Sequence, residues 1–184
     1  MNDLSMHVLD IVQNSITAGA NLIGIEVIEK IMENTLTICI SDNGKGMSPE
    51  QLIQVTNPYF TTRTTRKVGL GVPLFKQNAE MSGGSFNIES NMEKGTIVTA
   101  VFGYNHLDRP PLGDMANVVV LLVSSNPALD FIYTHRYNEK TYIFDTREVK
   151  EVLIPIPVNE PRIIRMLTEM ILENCKDMKE GKSN

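Results

Sequence analysis

Two polar residues on one predicted helix could carry chemistry together. Asp10 and Asn14 lie four residues apart in a segment whose apolar residues recur at helical spacing, so their side chains project from one face about one turn apart. Such a pair is a candidate polar site. Taken alone, such a pair is more often a solvated helix face.

Two glycine-containing segments are further candidates. Asp42-Asn43-Gly44 follows a predicted strand and, taken alone, is typical of a tight turn. Gly69-Leu70-Gly71 precedes a predicted helix, where unpaired N–H groups and the positive helix end suit a phosphate. Two glycines alone are equally compatible with an ordinary loop.

The elements that must position these residues follow from periodicity and turn signals. A helix is predicted from Leu4 to Ala18, ending before Gly19, and a short helix from a Ser48 cap to about Val55. A third helix begins near Pro73 and ends near Gly83. The predicted strands are Leu22 to Ile31 with Thr35 to Ile40, and Ser85 to Glu89 with Thr96 to Phe102, each pair forming a hairpin.

A boundary is predicted at Asp108 to Gly113, where two prolines and a glycine interrupt both periodicities. Beyond it we predict a buried strand at Val118 to Val123, a hairpin about Asn138 to Lys140 and a helix from about Pro161 to Met178. For residues 112 to 184 we recognise no family.

Composition narrows the classes of function. The 184 residues include 42% hydrophobic residues, enough for an ordinary core, and carry a net charge of -5 without a basic stripe, which argues against nucleic-acid binding. The longest apolar run is too short to span a membrane, and the N-terminus lacks a secretory pattern, so we expect no membrane association and a cytoplasmic location. Cys39 and Cys175 indicate neither a zinc site nor a disulfide framework.

The order and spacing of the motifs resemble the Bergerat fold of the GHKL superfamily, which includes DNA gyrase B subunits, MutL proteins, ninety-kilodalton heat-shock chaperones and histidine kinases. The motifs are Asp10-x-x-x-Asn14, Asp42-x-Gly44-x-Gly46, Gly69-x-Gly71 and Gly95-Thr96. The first motif is similar to that of MutL, and Pro58-Tyr59-Phe60-Thr61-Thr62-Arg63 is similar to the lid of histidine kinases. The resemblance covers about residues 4 to 103.

The resemblance implies an ATP site with Mg²⁺. Asp42 is expected to accept a hydrogen bond from the adenine amino group, Thr96 to support that contact through water, and Gly44 and Gly46 to leave room for the base. Asn14 is expected to ligate Mg²⁺. The backbone expected to surround the phosphates is that of Val68, Gly69, Leu70, Gly71 and Val72. The lid residues expected at the nucleotide are Thr61, Thr62, Arg63 and Lys67, with Arg66 as a further candidate for the terminal phosphate.

Two departures from the family pattern bear on the reaction. In hydrolytic relatives the residue at position 10 is Glu, which acts as general base, whereas this chain has the shorter Asp10. Histidine kinases also carry a dimerisation helix pair ahead of the ATP module, which here starts almost at residue 1, and we expect no such pair. His7 shares the helix face of Asp10, but we expect it to pack or to hydrogen-bond locally.

The predicted fold is a two-layer α/β sandwich with a mixed, largely antiparallel sheet. Residues 1–105 are predicted to form the ATP-binding domain and residues 112–180 a smaller α+β extension. Three functions stay open: a stand-alone protein kinase or ATP-dependent regulator acting on a partner protein, a MutL-like ATPase switch, and an ATP sensor without catalysis.

Overall fold

The computed structural model describes residues 3–56 and 71–181. The helices are α1 (Leu4–Thr17), α2 (Pro49–Val55), α3 (Gly71–Met81), α4 (Met115–Ser125), α5 (Thr146–Leu153) and α6 (Pro161–Glu180). The strands are β1 (Leu22–Lys30), β2 (Thr35–Asp42), β3 (Ser85–Asn91), β4 (Gly95–Gly103), β5 (Asp130–Tyr137) and β6 (Lys140–Asp145). The first helix, the hairpins and the C-terminal helix are thus confirmed, whereas α5 was not predicted.

All six strands form one sheet in the order β3-β4-β2-β1-β5-β6. The pairing of β1 with β5 is parallel, and the other four neighbouring pairs are antiparallel. The sheet is therefore mixed and largely antiparallel, and the predicted α/β fold class is confirmed.

One face of this sheet forms the hydrophobic core. Alternate residues of β1 are fully buried, as are those of β2, because side chains of a strand point to opposite faces in turn. Helices α1, α3, α4 and α6 contact the sheet and one another, so the helical layer covers the buried face. The core therefore lies between the sheet and this single layer.

The strand predicted at Val118 to Val123 is wrong, because these residues lie within helix α4. Five of the six residues are buried. When almost every residue of a segment is apolar and buried, the alternation of apolar and polar residues that distinguishes a helix from a strand is missing. The helix begins where the Asp114 side chain accepts a hydrogen bond from the Asn117 N–H, at 3.0 Å. Neither α4 nor any other helix within the described ranges is long and apolar enough to cross a membrane.

The segment after residue 112 extends the same sheet. Strand β5 pairs with β1 along its whole length, and α6 adds Leu167 and Ile171 to the same hydrophobic cluster as the residues of α1. The division into a nucleotide-binding domain and an extension with a role of its own stays a prediction. In the fold, both segments share one sheet and one core.

We expect Leu167→Ala to lower the free energy of unfolding of the whole chain by about 2–5 kcal/mol, because Leu167 is 1% exposed in this shared core. Denaturant unfolding followed by circular dichroism measures the change. Met166→Ala, on the same helix but with a side chain 46% exposed, is the matched control and should change the midpoint little. A separate early transition that alone shifts in Leu167→Ala would contradict a shared core.

Candidate functional site

Helix α1 presents Asp10 and Asn14 to solvent on the face away from the core. The Asp3 side chain caps the start of the helix by accepting a hydrogen bond from the Met6 N–H. After the end of the helix the chain turns at Gly19, whose φ is 78°. Both Asp10 and Asn14 are exposed, whereas the next residue, Ser15, is buried. Both exposed side chains lie along the wall of one cavity, as the sequence analysis expects.

The Asp42 carboxylate is fixed at the end of strand β2 by two hydrogen bonds. Ser15 Oγ donates to Oδ2 at 2.6 Å, and the Gly44 N–H donates to Oδ1 at 2.9 Å. Each carboxylate oxygen has a second lone pair, so both can still accept from a ligand. Sequence reasoning missed Ser15, although a hydroxyl on the buried face of a helix is a signal that it requires a partner.

Thr96 lies beside Asp42 because the two residues are paired across β2 and β4. Its hydroxyl is 2.9 Å from Ser90 Oγ, which also accepts a hydrogen bond from the Met47 N–H at 2.9 Å. Ser90 therefore ties the loop after Asp42 to the strand that carries Thr96. This residue was not among the predicted site residues.

The glycines near Asp42 permit close backbone contacts. Gly46 has φ of 66°, and a Cβ there would lie 1.9 Å from the Asn91 carbonyl oxygen. A Cβ on Gly44 would lie 3.0 Å from the Ala18 Cβ. A side chain is thus excluded at Gly46 and would be crowded at Gly44, and the expected contact of the glycines with a base stays a prediction.

Asp10, Asn14, Asp42 and Thr96 line one cavity of about 290 Å³, and so do Gly46 of the Asp42 motif and Gly71 and Val72 of the predicted phosphate loop. Its apolar wall comes from Ile11, Met47, Val55, Ile88 and Val98. Asp10 and Gly71 are in contact, since a Cβ on Gly71 would lie 3.1 Å from the Asp10 Cβ. The cavity thus combines an apolar wall, a fixed carboxylate and a helix face carrying Asp10 and Asn14.

His7 is buried behind this cavity and supports its wall. Asn78 Nδ2 lies 2.9 Å from His7 Nε2, and the imidazole stacks on Phe75 with ring centroids 5.6 Å apart. Burial lowers the pKa of His7, with Asp10 opposing part of that effect, so the ring is neutral at pH 7. These contacts confirm the expectation that His7 packs, but its hydrogen-bond partner Asn78 is 71 residues away rather than local.

Eight predicted lid and loop residues lie outside the described residues. They are Thr61, Thr62, Arg63, Arg66, Lys67, Val68, Gly69 and Leu70. Their expected contacts with the phosphates stay predictions. Lys45, which the sequence analysis did not single out, also lines the cavity.

Bacterial kinases resemble part of the chain. Sporulation kinase B of Bacillus subtilis is 33% identical over 97 residues, which are 52% of this chain and 22% of the kinase. Sensor histidine kinase ZraS of Salmonella typhimurium is 37% identical over 62 residues, which are 34% of this chain and 13% of that protein. The matched segment is thus a small part of each relative's length.

Two solved structures resemble the fold. The N-terminal domain of a DNA repair protein superposes with a TM-score of 0.55 and 18% identity, covering 78% of this chain and 52% of that one. The MutL ATPase domain of Aquifex aeolicus, complexed with ADP, gives a TM-score of 0.50 and 15% identity, covering 83% of this chain and 69% of that domain. Both likenesses concern the fold alone.

A family match spans more than half of the chain. Residues 2–105 match the family described as histidine kinase-, DNA gyrase B- and HSP90-like ATPase, and this range contains Asp10, Asn14, Asp42 and Thr96. The chain therefore belongs to the histidine kinase-, DNA gyrase B- and HSP90-like ATPase family, the GHKL superfamily.

Proposed function

We propose that the chain binds ATP with Mg²⁺ in the 290 Å³ cavity and uses it to act on a partner protein, as a protein kinase or an ATP-dependent regulator. The observation that carries the proposal is the position of the Asp42 carboxylate beside the apolar cavity wall. It accepts hydrogen bonds from Ser15 Oγ at 2.6 Å and from the Gly44 N–H at 2.9 Å. The family membership supports ATP as the nucleotide.

Asp42 would select adenine by hydrogen-bond chemistry. An ionised carboxylate only accepts hydrogen bonds, so it matches the exocyclic amino group of adenine and opposes the carbonyl at the corresponding position of guanine. Because Ser15 and Gly44 already fix the carboxylate, little conformational entropy is lost when the base binds. Thr96, its neighbour across the strands, would hold a bridging water.

Asn14 would contribute one ligand to Mg²⁺. Within residues 3–56 and 71–181, no three His, Cys, Asp or Glu side chains gather into a group that could hold a metal. Magnesium commonly takes only one or two protein ligands and completes its shell with phosphates and waters, so a single amide oxygen at the cavity wall fits it. Bound there, the ion would neutralise phosphate charge.

The start of helix α3 would receive the phosphates. Gly71 and Val72 line the cavity, and the N–H groups in the first turn of a helix have no acceptor within the helix. Asp10 touches Gly71 and so lies at the same end of the cavity as these donors. A carboxylate at that position is suited to accept a proton from a hydroxyl that attacks the terminal phosphate.

Phosphoryl transfer to a partner would suit Asp10 better than hydrolysis. Asp is shorter than the Glu of hydrolytic relatives by one methylene, about 1.5 Å, so water would be poorly oriented. A protein hydroxyl delivered on a partner's loop could close this gap. Catalysis is therefore expected to depend on the partner.

We expect the protein to bind Mg-ATP more tightly than Mg-GTP, and Asp42→Asn to weaken ATP binding by about 10- to 100-fold, because a charge-assisted hydrogen bond is lost. Calorimetry with both nucleotides measures this. Asp108→Asn removes the same charge from an exposed loop residue and should leave both affinities unchanged. Equal affinities for the two nucleotides, or unchanged ATP binding in Asp42→Asn, would refute the adenine site.

We expect Asn14→Ala to abolish the gain in nucleotide affinity that Mg²⁺ gives, while ADP affinity without metal hardly changes, because alanine offers no oxygen ligand. Titrations with and without EDTA measure both quantities. Asn14→Asp keeps an oxygen ligand and should retain the metal effect. If Asn14→Ala also destroys metal-free ADP binding, the residue is structural.

We expect slow ATP hydrolysis by the chain alone, and faster hydrolysis in Asp10→Glu, because the longer side chain brings the base to the water. Phosphate release measures turnover, and label from the terminal phosphate measures transfer to proteins of a source-cell extract. Brisk basal hydrolysis that is abolished in Asp10→Asn would favour the ATPase switch. If neither variant changes turnover and no protein is labelled, the ATP sensor remains.

A further inference from the structure

A second cavity, of about 560 Å³, lies between helices α4 and α6 and strand β5. Its lining shares no residue with that of the nucleotide cavity. The wall is largely apolar, with Leu112, Met115, Ala116, Ile171 and Leu172, and it also contains Cys175 and His135. The proposed ATP chemistry uses neither the thiol nor the imidazole.

Cys175, His135 and Glu29 form a continuous chain of contacts at this cavity. Cys175 Sγ lies 3.4 Å from His135 Nδ1, and His135 Nε2 lies 2.7 Å from Glu29 Oε1. The histidine and glutamate side chains are 3% and 4% exposed, while the thiol is half-buried at the cavity wall. A thiol is thus aligned with a base, and the base with a carboxylate that orients it.

The glutamate is ionised and determines the tautomer of the histidine. Burial disfavours the Glu29 carboxylate, but hydrogen bonds from His135 and Lys179 outweigh burial and lower its pKa to about 2. Lys179 Nζ lies 2.7 Å from Oε1, and Tyr104 donates to Oε2 at 3.1 Å. Glu29 accepts a hydrogen bond from Nε2–H, and the lone pair of Nδ1 then faces both the Tyr133 hydroxyl at 2.9 Å and the Cys175 thiol at 3.4 Å.

The thiol depends on this base for its reactivity. Burial raises the pKa of Cys175 to about 11, so the thiol is protonated at pH 7 and must lose its proton as it reacts. His135 Nδ1 is placed to accept that proton. The Tyr133 hydroxyl lies 2.9 Å from the same nitrogen and must release it before Nδ1 can take the thiol proton.

We propose that Cys175, His135 and Glu29 form a second chemical site, in which the Cys175 thiol accepts a short acyl group from an activated ester or thioester bound in this cavity. The apolar wall would hold the acyl chain. The first turn of α4 lines the same cavity at Met115 and Ala116, and its N–H groups, which lack acceptors within the helix, would bind the carbonyl oxygen.

The step balances without a further reactant. The sulfur forms a bond to the acyl carbon, and the bond from that carbon to the leaving oxygen or sulfur breaks. The thiol proton passes to His135 Nδ1 and from there to the leaving group, while Glu29 stays ionised and stabilises the imidazolium. The products are an S-acyl cysteine and the free alcohol or thiol.

The test is site-resolved acylation of the full chain by p-nitrophenyl butyrate at pH 7, followed by peptide mass spectrometry. Cys39 is a control within the same chain: it is also half-buried, burial raises its pKa as well, and its thiol accepts a hydrogen bond from Thr99 at 3.7 Å. We expect butyrylation at Cys175 and little at Cys39. His135→Gln should slow acylation of Cys175 roughly 100-fold, the size of a general-base contribution.

Cys39 also reports whether a variant unfolds, because its acylation rises when its strand opens. If Cys39 is acylated faster in His135→Gln than in the wild-type chain, Glu29→Gln is measured instead. We expect Glu29→Gln to slow the acylation of Cys175 while the acylation of Cys39 stays as slow as in the wild-type chain. Acylation of Cys175 no faster than that of Cys39 in the wild-type chain would overturn the proposal. A fast Cys175 whose rate does not depend on His135 or Glu29 would overturn it as well.

Discussion

The hydrogen bond from Ser15 to Asp42, 2.6 Å long, joins the two elements on which the candidate site depends. Ser15 follows Asn14 on helix α1, and Asp42 ends strand β2. A change in the position of the helix relative to the strand would therefore move the proposed metal ligand and the proposed adenine acceptor together. Since Ser15 is buried and Asp42 is half-buried, loss of either would leave a polar group without its partner at the cavity wall.

Strand β1 runs between the two proposed sites. Near its start Ile23 pairs with Asp42, and six residues later on the same face Glu29 accepts hydrogen bonds from His135 and Lys179. With a rise of about 3.3 Å per residue, these points are about 20 Å apart. In strand β5, the parallel partner of β1, His135 pairs with Val27. The segment after residue 112 therefore supplies His135, the proposed base, to the second cavity.

Much of the fold follows from local signals in the sequence. Helix α1 has both an apolar face and a glycine stop, and each predicted hairpin has a turn between alternating strands. Helix α4 was mistaken for a strand because Val118 to Val123 has no exposed face wide enough to reveal a period. The candidate site could be predicted from the sequence because Asp10, Asn14 and Asp42 belong to motifs that resemble those of a known family.

Contacts between distant residues could not be predicted in this way. Glu29 and His135 are 106 residues apart, and they meet because β1 and β5 pair in parallel, a choice that no local pattern specifies. The link between His7 and Asn78 depends likewise on how α1 packs against α3. Each of these polar residues could have been flagged as buried and in need of a partner, but the partner comes from the tertiary fold.

The most direct measurement is a crystal structure of the chain with Mg²⁺ and a non-hydrolysable ATP analogue. Asp42 and Thr96 line the 290 Å³ cavity under α1 and also a groove of about 400 Å³ that includes Gly24 and Ile97. The account predicts the base in the cavity under α1, with its amino group about 2.7–3.2 Å from an Asp42 carboxylate oxygen and the metal bound by Asn14. A nucleotide in the groove beside Gly24, or one whose base does not contact Asp42, would contradict it.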